Sequence, residues 1–316
     1  MATAFIFPGQ GSQAVGMGKS LAEAFPAARA VFDEVDAALS QKLSALMWEG
    51  PGEELTLTAN AQPALMAVSL AAIRVLEAEA GLSLARDAAF VAGHSLGEYS
   101  ALAAAGTFSI SDAARLLRIR GDAMQKAVPA GEGAMAALLG VDLEQARSIA
   151  ADAAQGQVCQ AANDNGGGQV VLSGAKAAVE RAIVLAGERG VRRAMLLPVS
   201  APFHCALMQP AAEAMQAALA EIRMNAPAVP VMANVGAAPL SDPAAIRASL
   251  VAQVTGTVRW RECVEAMAAA GVTQFFEVGS GKVLAGLVKR IAAGTAASSI
   301  GAPDDIASYK AQQGAL

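Results

Sequence analysis

The stretch Ala88-Ala-Phe-Val-Ala-Gly-His-Ser-Leu-Gly-Glu-Tyr-Ser-Ala-Leu-Ala-Ala-Ala105 decides how the rest of the chain is read. Ala88 to Ala92 is a short apolar run, the pattern of a strand buried on both faces. Ser95 to Ala105 reads as a helix, and Gly93-His94-Ser95-Leu96-Gly97 between them is a G-x-S-x-G turn. Strand, sharp turn and helix form the context in which that motif lifts a serine hydroxyl to the head of a helix. There the backbone N–H of Leu96 and the positive helix end can hold an oxyanion. The alternative is that Ser95 only caps the helix. On either reading, a buried strand feeding a helix implies α/β layers.

Upstream, Thr3 to Phe7 is a strand stopped by Pro8-Gly9-Gln10-Gly11, and helical periodicity then dominates to about residue 80, including Ala64 to Glu79. Downstream, a helix is expected from about Ser111 to Val128. The pattern changes after Pro129-Ala130-Gly131. Strand Ala134 to Leu139, helix Leu143 to Ala154 capped by Asp142, strands Gln157 to Ala162 and Gln169 to Ser173, helix Lys176 to Arg189 and strand Arg193 to Pro198 follow in turn. The order βαββαβ over about 70 residues is a ferredoxin-like pattern. It predicts a small subdomain, residues 131–198, inserted into a larger α/β subdomain formed by residues 1–130 and 199–316. The larger part resumes with helix Leu207 to Ile222, strand Val229 to Ala233, helices Ala244 to Val254 and Val258 to Ala270, strand Gln274 to Val278 and helix Val283 to Ala292. No structure is assigned after Ala293.

Composition narrows the function. Of 316 residues, 54% are hydrophobic and 16% charged, which excludes a disordered chain. Two long stretches free of charge, Ala194 to Ala212 and Met224 to Ser241, are each broken by three prolines and cannot span a membrane as helices. No basic segment precedes the short apolar run that ends at Phe7, so a cytoplasmic protein is expected. A net charge of -5 without a polybasic run gives nucleic-acid binding no support, and a small metabolite is the expected ligand. Cys159, Cys205 and Cys263 are too few and too scattered for a disulfide framework or a zinc site.

A serine nucleophile needs a base, and the chain has only two histidines. His94 adjoins Ser95 on a tight turn, where neighbouring side chains diverge. His204, in Val199-Ser200-Ala201-Pro202-Phe203-His204 after the last small-subdomain strand, can return over the turn; its other reading is a satisfied structural histidine. No acid is identifiable as a third member, and a backbone carbonyl can orient the ring instead. Arg120 shares a helix face with Leu116, Leu117 and Met124, so it either snorkels outward or meets an anion. Next to a reactive Ser95 it is a candidate clamp for a carboxylated acyl group. Several look-alikes fail. Gly16 to Ser20 and Gly279 to Lys282 lack the first glycine of a phosphate loop. No Asp-Gly dipeptide supports a patatin-like lipase, and Cys205 reads as a packed thiol.

Taken together, Phe7 to Gln13, Gly93 to Ser100, Arg120-Gly121 with Met124-Gln125, Ser200 to His204, Gln253 and Glu277-Val278-Gly279 resemble the malonyl-CoA:acyl carrier protein transacylases and the acyltransferase domains of polyketide synthases. The motifs stand in that family's order over about residues 5 to 290. The resemblance implies Ser95 as nucleophile, His204 as base, an oxyanion hole from the Gln10 and Leu96 amides, and Arg120 on the malonyl carboxylate. It implies that the Gln253 main-chain carbonyl orients His204 and that the larger subdomain is α/β-hydrolase-like. Phe203 resembles the malonyl-selective members, and Asn163 joins Arg120, Gln253 and Phe203 among the expected substrate-binding residues. Two departures are Thr257, where relatives usually carry proline, and Ser280, where Gly-Pro-Gly is common.

The expected partners are malonyl-CoA, as a substrate, and acyl carrier protein. No cofactor or metal is expected, and the chain is expected to be a monomer without membrane or nucleic-acid contacts. Its carrier partner is acidic, so basic residues must gather where it docks; Arg189, Arg192, Arg193, Lys282, Lys289 and Arg290 are the candidates. The rival readings are a serine esterase or thioesterase, a polyketide-pathway acyltransferase using another acyl-CoA, and a non-catalytic carrier-docking protein.

Overall fold

The computed structural model describes residues 2–314. Among these residues ten strands form two sheets: β1 Ala2–Phe7, β2 Phe90–Gly93, β3 Gly133–Leu139, β4 Cys159–Asp164, β5 Gln169–Ala175, β6 Arg193–Leu196, β7 Val231–Ala233, β8 Ala238–Leu240, β9 Val272–Val278 and β10 Ala296–Ile300. The larger sheet runs β10-β9-β1-β2-β7-β8 and is parallel except for β8. Its central strand β1 is fully buried from Ala4 to Phe7. Phe5 and Phe7 pack into one apolar core while Ala4 and Ile6 pack into another on the opposite face. Burial on both faces is why β1 and β2 read as unbroken apolar runs rather than alternating ones.

One of those cores is built around the helix Thr58–Ala80. By length and composition this helix could cross a membrane, yet 83% of its apolar window is buried inside the protein. It packs against the helix Ile110–Lys126, whose start is capped by the Ser109 side chain. The parallel register sets Phe7 beside Gly93, so the loop leaving β1 lies next to the turn leaving β2.

The smaller sheet runs β4-β5-β3-β6 with every neighbour antiparallel. Helices Leu143–Ala154 and Lys176–Glu188 close its own apolar core, the first opened by a capping box between Asp142 and Gln145. A short parallel stitch ties this sheet to the larger part of the chain. Val258 N–H donates to the Ala162 carbonyl at 2.8 Å, and Asp164 N–H donates to the Val258 carbonyl at 2.9 Å. Thr257 Oγ1 adds a bond to the Ala161 carbonyl at 2.7 Å, which gives a use to the hydroxyl at one of the two departures noted above. Ser280 Oγ likewise holds the Ser12 carbonyl at 2.7 Å and fastens the loop after β9 to the loop after β1.

Two strands and two helices lie beyond the elements expected from the sequence, one of the helices being the short Leu84–Asp87. β8 is a three-residue edge strand containing Pro239, and β10 is the Ala-Ala-Ser-Ser-Ile edge next to β9. Both lack the β-branched run that marks a strand, and an edge position tolerates that lack. The helix Pro303–Gly314 follows β10.

Candidate active site

Glycine makes the turn after β2 possible. A side chain at Gly93 would meet the Gly97 carbonyl at 1.9 Å, and one at Gly97 would meet the Phe7 carbonyl at 2.2 Å. Between them Ser95 is held at φ 54°, ψ -110°, a strained conformation for a residue with a Cβ. Its side chain does not cap the helix Leu96–Ala104. Instead its Oγ lies 2.7 Å from His204 Nε2.

His204 also has a positive φ, 58°, and is 4% exposed. Its Nδ1 is 2.8 Å from the main-chain carbonyl of Gln253. A carbonyl can only accept, so Nδ1 carries the hydrogen and Nε2 is left with the lone pair facing Ser95. Burial, and then the Arg120 charge, push the ring down to about 3, so near neutral pH it is uncharged and its Nε2 lone pair faces Ser95. His94 takes no part in this pair: its Nε2 lies 2.9 Å from Asn165 Oδ1, and burial lowers its affinity for a proton.

Arg120 is 1% exposed and does not snorkel. Nη1 donates to Gln62 Oε1 at 2.7 Å, and Nη2 donates to Gln253 Oε1 at 2.9 Å and to Ser95 Oγ at 3.1 Å. Its Nε–H meets no acceptor among the described residues. A guanidinium has no lone pair to offer, so the serine hydrogen must point at His204. At that distance the cation can also stabilise negative charge on Oγ.

The amides of Gln10 and Leu96 donate to no acceptor among the described residues, which leaves both available to an oxyanion. The Gln10 side chain is anchored by Thr58 Oγ1 at 3.0 Å. Gln10, Leu96, Ser95, His204, Arg120, Phe203 and Asn163 all border one cleft of about 530 Å³ between the two sheets. Gln253 lies beneath it, fully buried. Of the basic docking candidates, Arg290 reaches the cleft, whereas Arg189 pairs with Asp152.

Two polar residues that sequence reasoning did not single out hold this geometry. Asn234, directly after β7, accepts from the Ser95 amide at 2.8 Å and donates to the Gly93 carbonyl at 2.8 Å. Glu98 accepts from Gln253 Nε2 at 2.8 Å and from the Asn234 amide at 3.1 Å. The available signals were a polar residue at the carboxyl end of a parallel strand, where open α/β sheets place their sites, and an acid inside an otherwise apolar helix.

An α/β protein that holds a serine against a neutral imidazole, beside two free amides, has the layout of a serine acyl-transfer enzyme. The chain belongs to the acyl transferase family: the family's Acyl transferase domain matches residues 4–302. It is 48% identical over 304 residues to the malonyl CoA-acyl carrier protein transacylase of Escherichia coli K12, an alignment covering 96% of this chain and 97% of the relative. Against the Bacillus subtilis 168 protein of the same name it is 49% identical, covering 91% and 90%. Among solved structures it is similar to the acyl-carrier-protein-S-malonyltransferase of Bartonella henselae, with a TM-score of 0.97, 58% identity and coverage of 99% and 100%. It is also similar to a malonyl-transacylase solved in complex with a type II polyketide acyl-carrier protein, with a TM-score of 0.95, 42% identity and coverage of 99% and 100%.

Proposed function

We infer that this enzyme transfers a malonyl group from malonyl-CoA to the phosphopantetheine thiol of acyl carrier protein, loading the extender unit of fatty-acid synthesis. The observation that carries the substrate is the buried Arg120 guanidinium, 3.1 Å from Ser95 Oγ and paired only with neutral side chains. A dry cation with no acid hydrogen-bonded to it among the described residues, at that distance, suits an acyl group ending in a carboxylate.

In the first half-reaction Ser95 Oγ attacks the malonyl thioester carbon as its proton passes to His204 Nε2. The carbonyl oxygen becomes an oxyanion on the Gln10 and Leu96 amides. The C–S bond then breaks, and the CoA thiolate takes the proton from His204. In the second, the carrier thiol gives its proton to His204 and attacks the acyl-serine carbon, and the proton returns to Oγ as the ester breaks. Arg120 holds the carboxylate throughout. When that carboxylate arrives, it offsets the second cause of the low basicity of His204, so the correct substrate also strengthens the base.

The fold supports the finer domain reading. The antiparallel sheet within residues 131–198 has the strand order of a ferredoxin-like unit, and the mostly parallel six-stranded sheet formed from residues 1–130 and 199–316 is consistent with an α/β-hydrolase-like subdomain. Phe203, 7% exposed at the cleft wall before His204, leaves little room for a branch on the malonyl carbon.

The test follows label from malonyl-CoA. Transfer to added holo carrier protein through an adduct on Ser95 is the expected result. Rapid release of free malonate without transfer marks a hydrolase, and absence of any Ser95 adduct marks a non-catalytic scaffold.

A further inference from the structure

Glu98 has no step in the reaction above, yet it lies in the middle of the site's buried polar network. It is 1% exposed, one turn along from Ser95. Its Oε2 accepts the bonds from Gln253 and Asn234, and its Oε1 meets no donor among the described residues. Gln253 faces both ways: Nε2 donates to Glu98 and Oε1 accepts from Arg120. One amide group therefore joins the buried carboxyl to the buried cation, and no acid is hydrogen-bonded to Arg120 itself among the described residues.

We propose that Glu98 is the proton-linked counter-charge of Arg120, ionised while the acyl site is empty and protonated when the malonyl carboxylate binds. The proposal rests on the reading of Arg120 as the carboxylate clamp. Two anions beside one guanidinium in a dry site repel strongly, and one of them must be neutral. The incoming carboxylate touches Arg120 directly, while Glu98 stands one amide away, so Glu98 is the group that yields. It can do so without breaking a bond: Oε2 keeps both hydrogen bonds as the carbonyl oxygen, and the unpartnered Oε1 gains the proton.

Burial already holds Glu98 at about 7, against the hydrogen bonds from Gln253 and Asn234 and the Arg120 charge. The titratable and charged groups that face it are Arg120 from the helix Ile110–Lys126, Cys263 from the helix Trp260–Ala269 and Tyr99 from its own helix. Burial pushes Tyr99 up to about 12 and Cys263 well above the ordinary thiol range, so neither exchanges a proton near neutrality. His204, in the same site, is the competing proton acceptor.

Calorimetry tests the linkage, with malonyl-CoA and acetyl-CoA titrated separately into Ser95→Ala protein. Buffers of different ionisation enthalpy, between about pH 6.5 and 8.5, report the protons taken up. With Glu98 at about 7, malonyl-CoA should bring in about half a proton at pH 7 and close to one by about pH 8. Its Kd should rise by up to about tenfold per pH unit above neutrality. Acetyl-CoA carries the same phosphates and should bring in none. Adding Glu98→Gln should abolish the uptake and flatten the Kd profile. Uptake that survives this variant puts the proton on another group and overturns the proposal. If the variant does not fold, the first comparison still decides, because equal uptake with both donors, or none with malonyl-CoA, also overturns it. Arg120→Ala separates the underlying reading: selective weakening of malonyl-CoA keeps the clamp whatever becomes of Glu98, and equal weakening of both donors removes it.

Discussion

Gly97→Ala is a test of how closely the oxyanion site is built. The added methyl would stand 2.2 Å from the Phe7 carbonyl and 2.9 Å from the Pro8 carbonyl, where ordinary contact begins at 3.4 Å. Both obstacles are backbone, so no rotamer change relieves them, and the turn must part from the end of β1 by more than 1 Å. That movement pulls on the His94 N–H to Phe7 carbonyl bond, now 3.0 Å, and separates the two strands of chain that supply the Leu96 and Gln10 amides. Misplacing a reacting group by about 1 Å costs on the order of 10²-fold in rate, and losing one oxyanion donor costs roughly 10² to 10³-fold. The expected result is a fall in kcat/KM for malonyl transfer of about 10² to 10³-fold, with about 1 to 3 kcal/mol less stability from overpacking. Initial rates with holo carrier protein measure the first and urea unfolding the second. Gly187→Ala is the control: nothing lies within 4 Å of its added methyl, and it should leave the rate unchanged. A folded Gly97→Ala protein working within about threefold of wild type would refute the close-packed site.

Three further outcomes follow from the same network. Arg120→Ala should cut malonyl transfer far more than acetyl transfer, measured as the ratio of kcat/KM for the two donors; an equal loss contradicts the clamp. Asn234→Ala leaves the Ser95 amide and the Gly93 carbonyl without their partner, so stability should fall by about 1 to 3 kcal/mol and kcat should drop more than KM rises. Lastly, His204 is held at about 3 in the fold against 6.5 in the unfolded chain. Its contribution to stability is complete above about pH 6.5 and is lost as pH falls towards 3. Between about pH 7 and 5 the wild type should therefore lose urea stability faster than His204→Gln, and parallel losses would sink this account.

The strand-turn-helix at Ser95 was legible because its signals are local: an apolar run, two glycines and a helix former sequence. His204 was found by scarcity, since one of only two histidines adjoins the serine and cannot turn back to it. Arg120 was conspicuous as a charge within an apolar stripe, and the structure brings its Nη2 to 3.1 Å from Ser95 Oγ. What stayed hidden is what only the tertiary fold assembles. Asn234 is an ordinary residue after a short strand until β7 pairs beside β2, and it then meets the Ser95 amide from far along the chain. β8 and β10 escaped for a different reason: at a sheet edge, partner strands supply the order that a Pro-, Ala- or Ser-rich segment does not specify by itself.

The stitch at Val258 bears on protein engineering. Ser95 follows β2 of the larger sheet and His204 follows β6 of the smaller one, so their 2.7 Å separation is a gauge of how the two sheets sit. A chimera exchanging residues 131–198 between relatives would import Asn163 with its half of the cleft while leaving Phe203 and His204 in the recipient. The exchanged strand would then have to find Thr257 and Val258 in register, because Ala161, Ala162 and Asp164 are what those two residues grip. Co-transferring the Thr257-Val258 segment with the small sheet keeps both sides of that grip from one parent.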